Sequence, residues 1–259
     1  MTVALKPGWP QRQGRNGVID LLPAVLDEEK INENKIHETV NDSVSRDLLT
    51  KKRFYIDRFE KRWRKVILQK NTKSFLELAG GLCYISALAK LHRPDIEVWA
   101  SDVAPLYLEN KSVVTAQLFG VSIDQFAAVD AENLPFADNQ LDAVFIAHSI
   151  HHIGNIERML QEVHRVLRPG GRFLGIDIAA PSNKRAFDKD LKDRAERGDE
   201  HGIHEKSITF AGWKEIAVNS GVPGMKVGYE NTPTWGASVR RLQNVHKRRE
   251  ISIRFDKAV

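Results

Sequence analysis

Two acidic strand ends, one glycine turn and one histidine cluster are the parts of this chain that could carry chemistry. A short apolar run, residues 75–78, ends in the pair Gly80-Gly81, and a second apolar run ends in Asp102. Glycines at a strand end let the backbone approach a ligand, and an acid about 20 residues further on can bind ribose hydroxyls. Asp102 follows Glu77 at close to that spacing. This stretch therefore indicates one half of a nucleotide-binding sheet.

A third candidate binding segment, here called the third corner, consists of Asp130, Ala131 and Glu132. It follows the next short apolar run, residues 126–129. The carboxyl ends of parallel strands meet at one edge of a sheet, so we expect this corner to lie beside Asp102. An acid and a backbone amide there can recognise an adenine edge, because the acid accepts from the amino group and the amide donates to a ring nitrogen. The alternative role for Asp130 is a helix cap or turn residue.

The histidine cluster comprises His148, His151 and His152, directly after the apolar run 141–147. Histidine exchanges protons near neutral pH and is therefore a candidate acid or base. Helix capping and core packing are the alternative roles. No carboxylate or cysteine stands at ligand spacing from these histidines, so we expect no metal site.

Apolar runs that alternate with amphipathic stretches must position these corners. The alternation predicts an α/β fold, a Rossmann-like, seven-stranded, mostly parallel sheet with helices on both faces. The predicted strands are residues 75–78, 96–100, 126–129, 141–147, 172–178, 225–229 and 251–255.

Three further segments complete the predicted organisation. Residues 1–18, rich in Gly, Pro, Arg and Gln, are expected to form a flexible arm. Residues 19–70 would form an N-terminal helical cap, whose amphipathic stripe either only packs or also walls a substrate pocket. Residues 71–259 would form the main domain. Within it, the charged stretch 181–207 is expected to be an exposed insertion, either a lid over the site or a solvated helix without a role.

Composition limits the classes to which the chain can belong. With 42% hydrophobic and 28% charged residues, it is typical of a globular protein. No apolar stretch approaches the roughly 20 residues that cross a bilayer, so no membrane span is expected. The single cysteine, Cys83, excludes an intrachain disulfide and, with no apparent secretory signal, favours the cytoplasm. A net charge of +5 is compatible with an anionic substrate or nucleic acid but demands neither.

Four motifs give the chain a family resemblance: LELAGGLCYIS, VWASDVAP, VDAENLPFADNQLDAVFIAHSIHHIGN and MLQEVHRVLRPGGRFLGID, which together cover roughly residues 75–177. They resemble the class I S-adenosylmethionine-dependent methyltransferases, especially the ubiquinone and menaquinone biosynthesis type with its methyltransferase type 11 domain. The third and fourth motifs carry most of the specificity, because a glycine turn alone is common to many nucleotide-binding folds.

The resemblance implies S-adenosyl-L-methionine as cofactor and assigns its contacts position by position. Glu77 and the glycine turn would surround the methionine part, Asp102 would bind the ribose, and Val103 would lie against the adenine. Asp130 and Ala131 would recognise the adenine edge. The full set of implied cofactor-binding residues is Glu77, Ala79, Gly81, Asp102, Val103, Asp130, Ala131 and His148.

Two positions depart from the family pattern of acid-x-Gly-x-Gly-x-Gly. Ala79 and Cys83 stand at the first and third glycines. If Ala79 needs a positive φ, it costs roughly 1 kcal/mol relative to glycine. Cys83 adds bulk where the helix packs on the strand, and we expect it to be a small buried residue rather than a nucleophile.

The function that we expect is transfer of a methyl group to an oxygen, nitrogen or carbon atom of a small molecule. His151 and His152 are the candidate catalytic residues, as a base or in substrate positioning. One alternative is a methyltransferase of RNA or other nucleic acid, suggested by the basic balance and a C-terminal basic cluster. The other, suggested by Ala79 and Cys83, is a non-catalytic protein that binds S-adenosylmethionine on the same scaffold. The sequence does not predict the oligomeric state.

Overall fold

The computed structural model describes residues 2–28, 30–32, 55–201, 205–230 and 249–259. Most of the C-terminal basic cluster (residues 240, 241 and 247–249) and the middle of the predicted cap lie outside these ranges. Among the described helices, none is long and apolar enough to cross a membrane.

The centre of the fold is one sheet, and the predicted α/β class is confirmed. Nine strands in the described residues are hydrogen-bonded in the order β1-β2-β5-β4-β3-β6-β7-β9-β8. Strands β2 to β7 run parallel to one another, whereas β1, β8 and β9 pair antiparallel with their neighbours. The strands are β1 Arg12–Gln13, β2 Val18–Asp20, β3 Ser74–Leu78, β4 Glu97–Asp102, β5 Gln125–Ala128, β6 Leu141–Ala147, β7 Leu167–Ala179, β8 Lys226–Tyr229 and β9 Arg249–Asp256.

The direction of winding reverses between β3 and β6. From β3 the chain moves outward through β4 and β5, then returns to pair β6 with the other side of β3. Such a switch point leaves a crevice outside the carboxyl ends of the strands, where ligands of open α/β sheets bind. The glycine turn after β3 and the histidine cluster after β6 flank this crevice.

Helices cover both faces of the sheet. Side chains of β3 alternate between two apolar cores: Leu76 and Leu78 contribute to one, Phe75 to the other. The described helices are α1 over residues 55–67 (with a π-helical turn at Phe59–Trp63), α2 Tyr84–His92, α3 over residues 105–118, α4 Ile156–Val166, α5 Lys184–His201 and α6 Phe210–Asn219. Helices α4 and α6 pack on the first face, and α1, α2 and α3 on the second.

Local sequence signals explain where several helices begin. The side chain of Asn155 accepts a hydrogen bond from the backbone N–H of Arg158 and caps α4, while Thr209 caps α6 in the same way. Helix α2 differs, because Cys83 precedes it in a left-handed conformation without a side-chain cap. The α2 N–H groups are therefore available to other partners.

Residues 2–22, where the sequence suggested a flexible arm over residues 1–18 and the start of a cap from residue 19, lie along the edge of the sheet. Strand β2 pairs in parallel with β5, and β1 folds back on β2, which raises the strand count from the predicted seven to nine. Val3, Val18 and Leu21 are buried, and the indole N–H of Trp9 donates to the carbonyl of Leu21. These apolar side chains, spread among glycines and prolines, anchor the segment to the sheet edge.

The charged stretch after β7 is also less exposed than expected. It forms α5 and a return segment, residues 205–209. Asp190 and Arg194 on α5 are buried and lie within ion-pair distance, while the hydroxyl of Ser207 donates to Asp190 at 2.7 Å. A set of charges that pair with one another can be buried, although the same composition in isolation predicts a solvated helix.

Candidate active site

The turn after β3 is wound through three left-handed residues: Ala79 (φ 45°), Gly81 (φ 52°) and Cys83 (φ 53°). The condition stated above for Ala79 is therefore met, and this alanine carries backbone strain that glycine would not. Gly80 is required for a different reason. A Cβ atom there would lie 2.9 Å from Cys83 Sγ and 3.0 Å from the side chain of Glu77.

Glu77 lies beneath this turn with only 4% of its surface exposed. One of its carboxylate oxygens accepts a hydrogen bond of 2.6 Å from the backbone N–H of Ser86, in the first turn of α2. Burial raises the pKa of Glu77 from 4.5 to about 7, and the hydrogen bonds from α2 offset only part of that effect. Its carboxyl group is thus poised to change charge near neutral pH.

Asp102, at the end of β4, joins the turn after β3 to the turn after β4. Its carboxylate accepts from the backbone N–H of Gly81 at 2.9 Å and from that of Ala104 at 3.1 Å. A carboxylate has about four acceptor positions, so two remain for further hydroxyl donors. The side chain is 8% exposed and faces a cavity.

The third corner is closed by a residue that sequence reasoning missed. Lys30 donates to Asp130 at 3.0 Å and lies 2.8 Å from Asp27 and 3.3 Å from Glu132. Burial lowers the pKa of Lys30, but its hydrogen bonds to Asp27 and Asp130 and the nearby negative charges outweigh burial and raise it above its usual value. Ala131, next to these ion pairs, is buried.

Two adjoining cavities lie along the carboxyl edge of the sheet, one of about 360 Å³ and one of about 590 Å³. Both have the size of small-molecule sites. The smaller contains the Asp102, Val103 and Asp130–Glu132 corner. The larger contains Glu77, the glycine turn and the histidine loop, with an aromatic wall of Tyr55, Tyr84 and Tyr107. Residues common to both cavities are Ala79, Gly81, Tyr107 and Ser149.

His148 lies at the junction of β6 and the larger cavity. Its backbone is left-handed, with φ 57°, a conformation that costs energy and is concentrated at functional sites. Its N–H donates to the carbonyl of Ile176, and its Nε2 lies 3.4 Å from Glu250. Burial raises the pKa of Glu250, but the hydrogen bond with His148 and the charges of Arg58 and His148 outweigh it, and the net shift is downward.

His151 and His152 lie on a 3₁₀ turn directly after β6, with their ring centroids 4.2 Å apart. The Nδ1 atom of His151 lies 2.8 Å from Asp177 at the end of β7, and the His151 backbone N–H donates to the other Asp177 oxygen at 3.0 Å. Burial raises the pKa of Asp177, but the hydrogen bond and charge of His151 bring the net shift below its usual value. An ionised Asp177 holds the Nδ1 proton and directs Nε2 away.

The return segment after α5 reaches this histidine turn. Glu205 Oε2 lies 3.8 Å from His151 Nε2 and accepts from Arg194 at 2.9 Å. The ammonium of Lys206 donates to the carbonyls of Ile153 and Gly154. The charged insertion is thus bound to the histidine loop by its own side chains.

The structure therefore brings together every residue that the sequence suggested for the site. It adds four that pattern reasoning missed: Lys30, Tyr107, Asp177 and Glu205. Asp177 carried the only available signal, because it ends an apolar run in the same way as Asp102.

The Methyltransferase domain family matches residues 76–175, the segment from β3 to β7. Residues 76–175 thus carry a methyltransferase domain. The resemblance stated from the four motifs is thereby confirmed for this domain.

A curated relative shares the methyltransferase domain and little more. The demethylmenaquinone methyltransferase of Thermus thermophilus is 34% identical over 126 residues, which is 46% of this chain and 56% of that protein. The chain thus spans only about half the length of the curated relatives it matches.

Solved structures extend the likeness to the surrounding fold. Phosphoethanolamine N-methyltransferase 2 of Haemonchus contortus, solved with S-adenosyl-L-methionine, gives a TM-score of 0.58 at 15% identity, covering 78% of this chain and 53% of that one. The [4+2]-cyclase SpnF gives 0.55 at 16% identity, covering 78% and 82%. These likenesses show the methyltransferase domain's fold alone, because one scaffold can serve different reactions.

Proposed function

We propose that the protein transfers a methyl group from S-adenosyl-L-methionine to a small-molecule acceptor. The observation that carries this proposal is the pair of cavities along one sheet edge, with Asp102 and Asp130 in one and Glu77 in the other. The family match and the cofactor in a structural neighbour support the same conclusion.

The donor groups fit the three parts of this cofactor. Two acceptor positions on Asp102 suit the two ribose hydroxyls. Val103 and Ala131 provide apolar surface for the adenine, whose amino group would donate to Asp130. Glu77 lies in the larger cavity where the methionine part would extend, and its carboxylate would accept from the cofactor's ammonium group.

The acceptor would enter the larger cavity from the side of the histidine loop. S-adenosyl-L-methionine supplies a methyl group on a sulfonium, and transfer breaks the sulfur–carbon bond, forms a bond to the acceptor and leaves a neutral thioether. The protein must place the acceptor atom in line behind that methyl group, and positioning of this kind accounts for much of the rate. His148, His151 and His152 line the two cavities on this side, so they would contact the acceptor.

The tyrosine wall indicates the size and character of the acceptor. Tyr55 stacks on Tyr84 with ring centroids 5.4 Å apart, and Tyr107 lies across the boundary between the cavities. Flat aromatic surfaces bury planar apolar groups well. A small acceptor with a planar portion and an oxygen, nitrogen or carbon nucleophile fits this wall.

A second candidate is a protein that binds the cofactor without transferring its methyl group. The strain at Ala79 and the bulk of Cys83 favour it, and the cyclase neighbour bears a different reaction in its name. The nucleic-acid alternative rests on the basic balance of the chain and on the C-terminal basic cluster, most of which lies outside the described residues. A cytoplasmic location, expected from the lone cysteine, stays a prediction.

Calorimetric titration with S-adenosyl-L-methionine, followed by a methyl-transfer screen against a metabolite pool, separates these candidates. We expect one molecule of cofactor per chain and radiolabel transfer to a small molecule. Cofactor binding without transfer would support the non-catalytic protein. A folded protein that binds neither S-adenosyl-L-methionine nor S-adenosylhomocysteine would refute both.

A further inference from the structure

We propose that His151, His152 and Glu205 bind a divalent transition-metal ion in the wall of the acceptor cavity. This inference rests on the proposed function and extends it, because the ion would hold the acceptor. No metal was expected from the sequence, since Glu205 lies far from the histidines along the chain. The fold brings it there through the return segment after α5.

The three side chains already stand close to ligand geometry. One ring nitrogen from each histidine and one carboxylate oxygen lie within 4.8 Å of one another. Ligands that share one ion at about 2.1 Å lie about 3.4 Å apart in a tetrahedral site, so binding requires a contraction of up to about 1.4 Å. The carboxylate is on the return segment, outside the sheet, where a movement of that size disturbs few core contacts.

The surroundings of the ligands have the form of a metal site's outer shell. Metal-bound histidines usually donate their other ring N–H to a carboxylate, which fixes the ring. Asp177 occupies that position on Nδ1 of His151 and leaves Nε2 directed at Glu205. Metal-bound carboxylates are hydrogen-bonded in turn, and Arg194, which is itself buried, donates to Glu205.

Three protein ligands leave coordination positions open, as in catalytic rather than structural metal sites. His151 lines the larger cavity and His152 the smaller, so an acceptor in the cavities can reach the open positions. Two imidazoles with one carboxylate suit zinc, cobalt, manganese or iron in the divalent state. Methyl transfer moves no electrons between metal and substrate, so the ion would act as a Lewis acid.

The site specifies an acceptor with a hydroxyl group. A divalent ion lowers the pKa of a coordinated O–H group by several units. The hydroxyl would lose its proton to cavity water, and the resulting oxyanion would be the nucleophile or activate a conjugated carbon beside it. The wall of Tyr55, Tyr84 and Tyr107 would contact the rest of such a phenol or enol.

Cobalt(II) provides a direct test, because its bound form has a visible absorption that does not depend on turnover. Tag-free, chelator-treated protein is titrated with Co²⁺ and then competed with Zn²⁺. We expect one equivalent to bind, and Glu205→Gln and His152→Asn each to weaken binding about tenfold or more. His164→Asn, on α4 and outside the cluster, is the matched control and should bind as the wild type. Circular dichroism confirms that each variant is folded.

The outcomes separate the metal from the cofactor. Folded wild-type protein without the Co²⁺ spectrum, or with a spectrum that Glu205→Gln and His152→Asn leave unchanged, would overturn the metal site. Binding of Co²⁺ in protein that does not bind S-adenosyl-L-methionine would support the metal site and refute the methyltransferase proposal. Binding of both Co²⁺ and S-adenosyl-L-methionine, with a metal affinity that falls only in the two ligand variants, would support the metal site and the cofactor site. The methyl-transfer screen then decides whether the protein is catalytic.

Discussion

The titration of Glu77 allows a direct measurement of how much the candidate site lowers the free energy of unfolding. Its carboxyl group has a pKa of about 7 in the folded protein, against 4.5 in its ordinary state, because it is buried. One pKa unit corresponds to about 1.4 kcal/mol. A shift of this size therefore corresponds to about 3 kcal/mol of unfolding free energy.

The direction of the pH dependence of stability follows from the fact that the folded state binds the Glu77 proton more tightly than the unfolded state does. Between pH 4.5 and 7 the folded protein keeps the Glu77 proton and the unfolded chain releases it. The contribution of Glu77 to stability is thus fully present below about pH 4.5 and is lost as pH rises through 7. Glutamine imitates the protonated carboxyl group, so Glu77→Gln removes this loss. The variant should match the wild type near pH 4.5 and exceed its stability by about 3 kcal/mol at pH 8.

Urea unfolding of both proteins across this range isolates the effect, because titrating groups that do not interact with Glu77 cancel in the difference. Glu162→Gln is the control of opposite sign. Burial raises the pKa of Glu162, but its hydrogen bond and ion pair with Arg165 outweigh burial and lower it, so its contribution is present above pH 4.5 and lost in acid. A Glu77 difference that does not change with pH would refute this account.

The same variant should bind the cofactor less well, which would explain why a destabilising acid is kept. If Glu77 accepts from the cofactor's ammonium group, the bound state favours the carboxylate. Binding to the wild type near pH 6.5 then releases a proton, and the heat of binding depends on the buffer's ionisation enthalpy. Glu77→Gln should lose about tenfold in affinity at pH 8 and show no such dependence.

Four further substitutions, one of them a control, test separate parts of the structure. Asp102→Asn should weaken cofactor binding about tenfold in calorimetry, because one charge-assisted hydrogen bond is lost. Unchanged affinity would refute the proposed contact between Asp102 and the ribose. Gly80→Ala should cost about 1–3 kcal/mol of stability through overpacking and abolish cofactor binding. By contrast, Gly120→Ala, with no atom within 4 Å of its Cβ, should cost about 1 kcal/mol from positive φ and leave affinity unchanged. Arg165→Met should lose about 2 kcal/mol in urea unfolding, because the partly buried Glu162 then keeps only the Leu134 N–H and Lys6 as partners. It should not alter cofactor affinity.

Predictions from the sequence succeeded where the residue pattern that indicates a feature lies within one short segment of the chain. Strand β6 is almost wholly apolar, and α4 repeats apolar residues at helical spacing between an Asn cap and a Pro-Gly-Gly turn. Asp102 was identifiable because the acid follows an apolar run at a characteristic distance. Each of these features depends on neighbours that are close along the chain.

Features that depend on distant partners could not be predicted in the same way. Lys30 donates to Asp130, which lies 100 residues later in the chain. Glu205, which follows α5, lies next to His151. The buried charges of α5 have the composition of a solvated helix until their partners are known. Residues 2–18 look unstructured in the sequence because their few apolar side chains are stabilised by a sheet edge formed much later in the chain.

The parallel pairing of β2 with β5 also bears on how the protein can be handled. Without residues 2–22, the N–H and C=O groups along the outer side of β5 would be exposed as an open edge, which readily pairs with the strands of other molecules. In the intact chain the outermost strand is instead the short β1, with Pro10 and Arg12 beside it, and such short, charged edges resist pairing. Trimming these residues to obtain a compact catalytic fragment should therefore yield protein that aggregates.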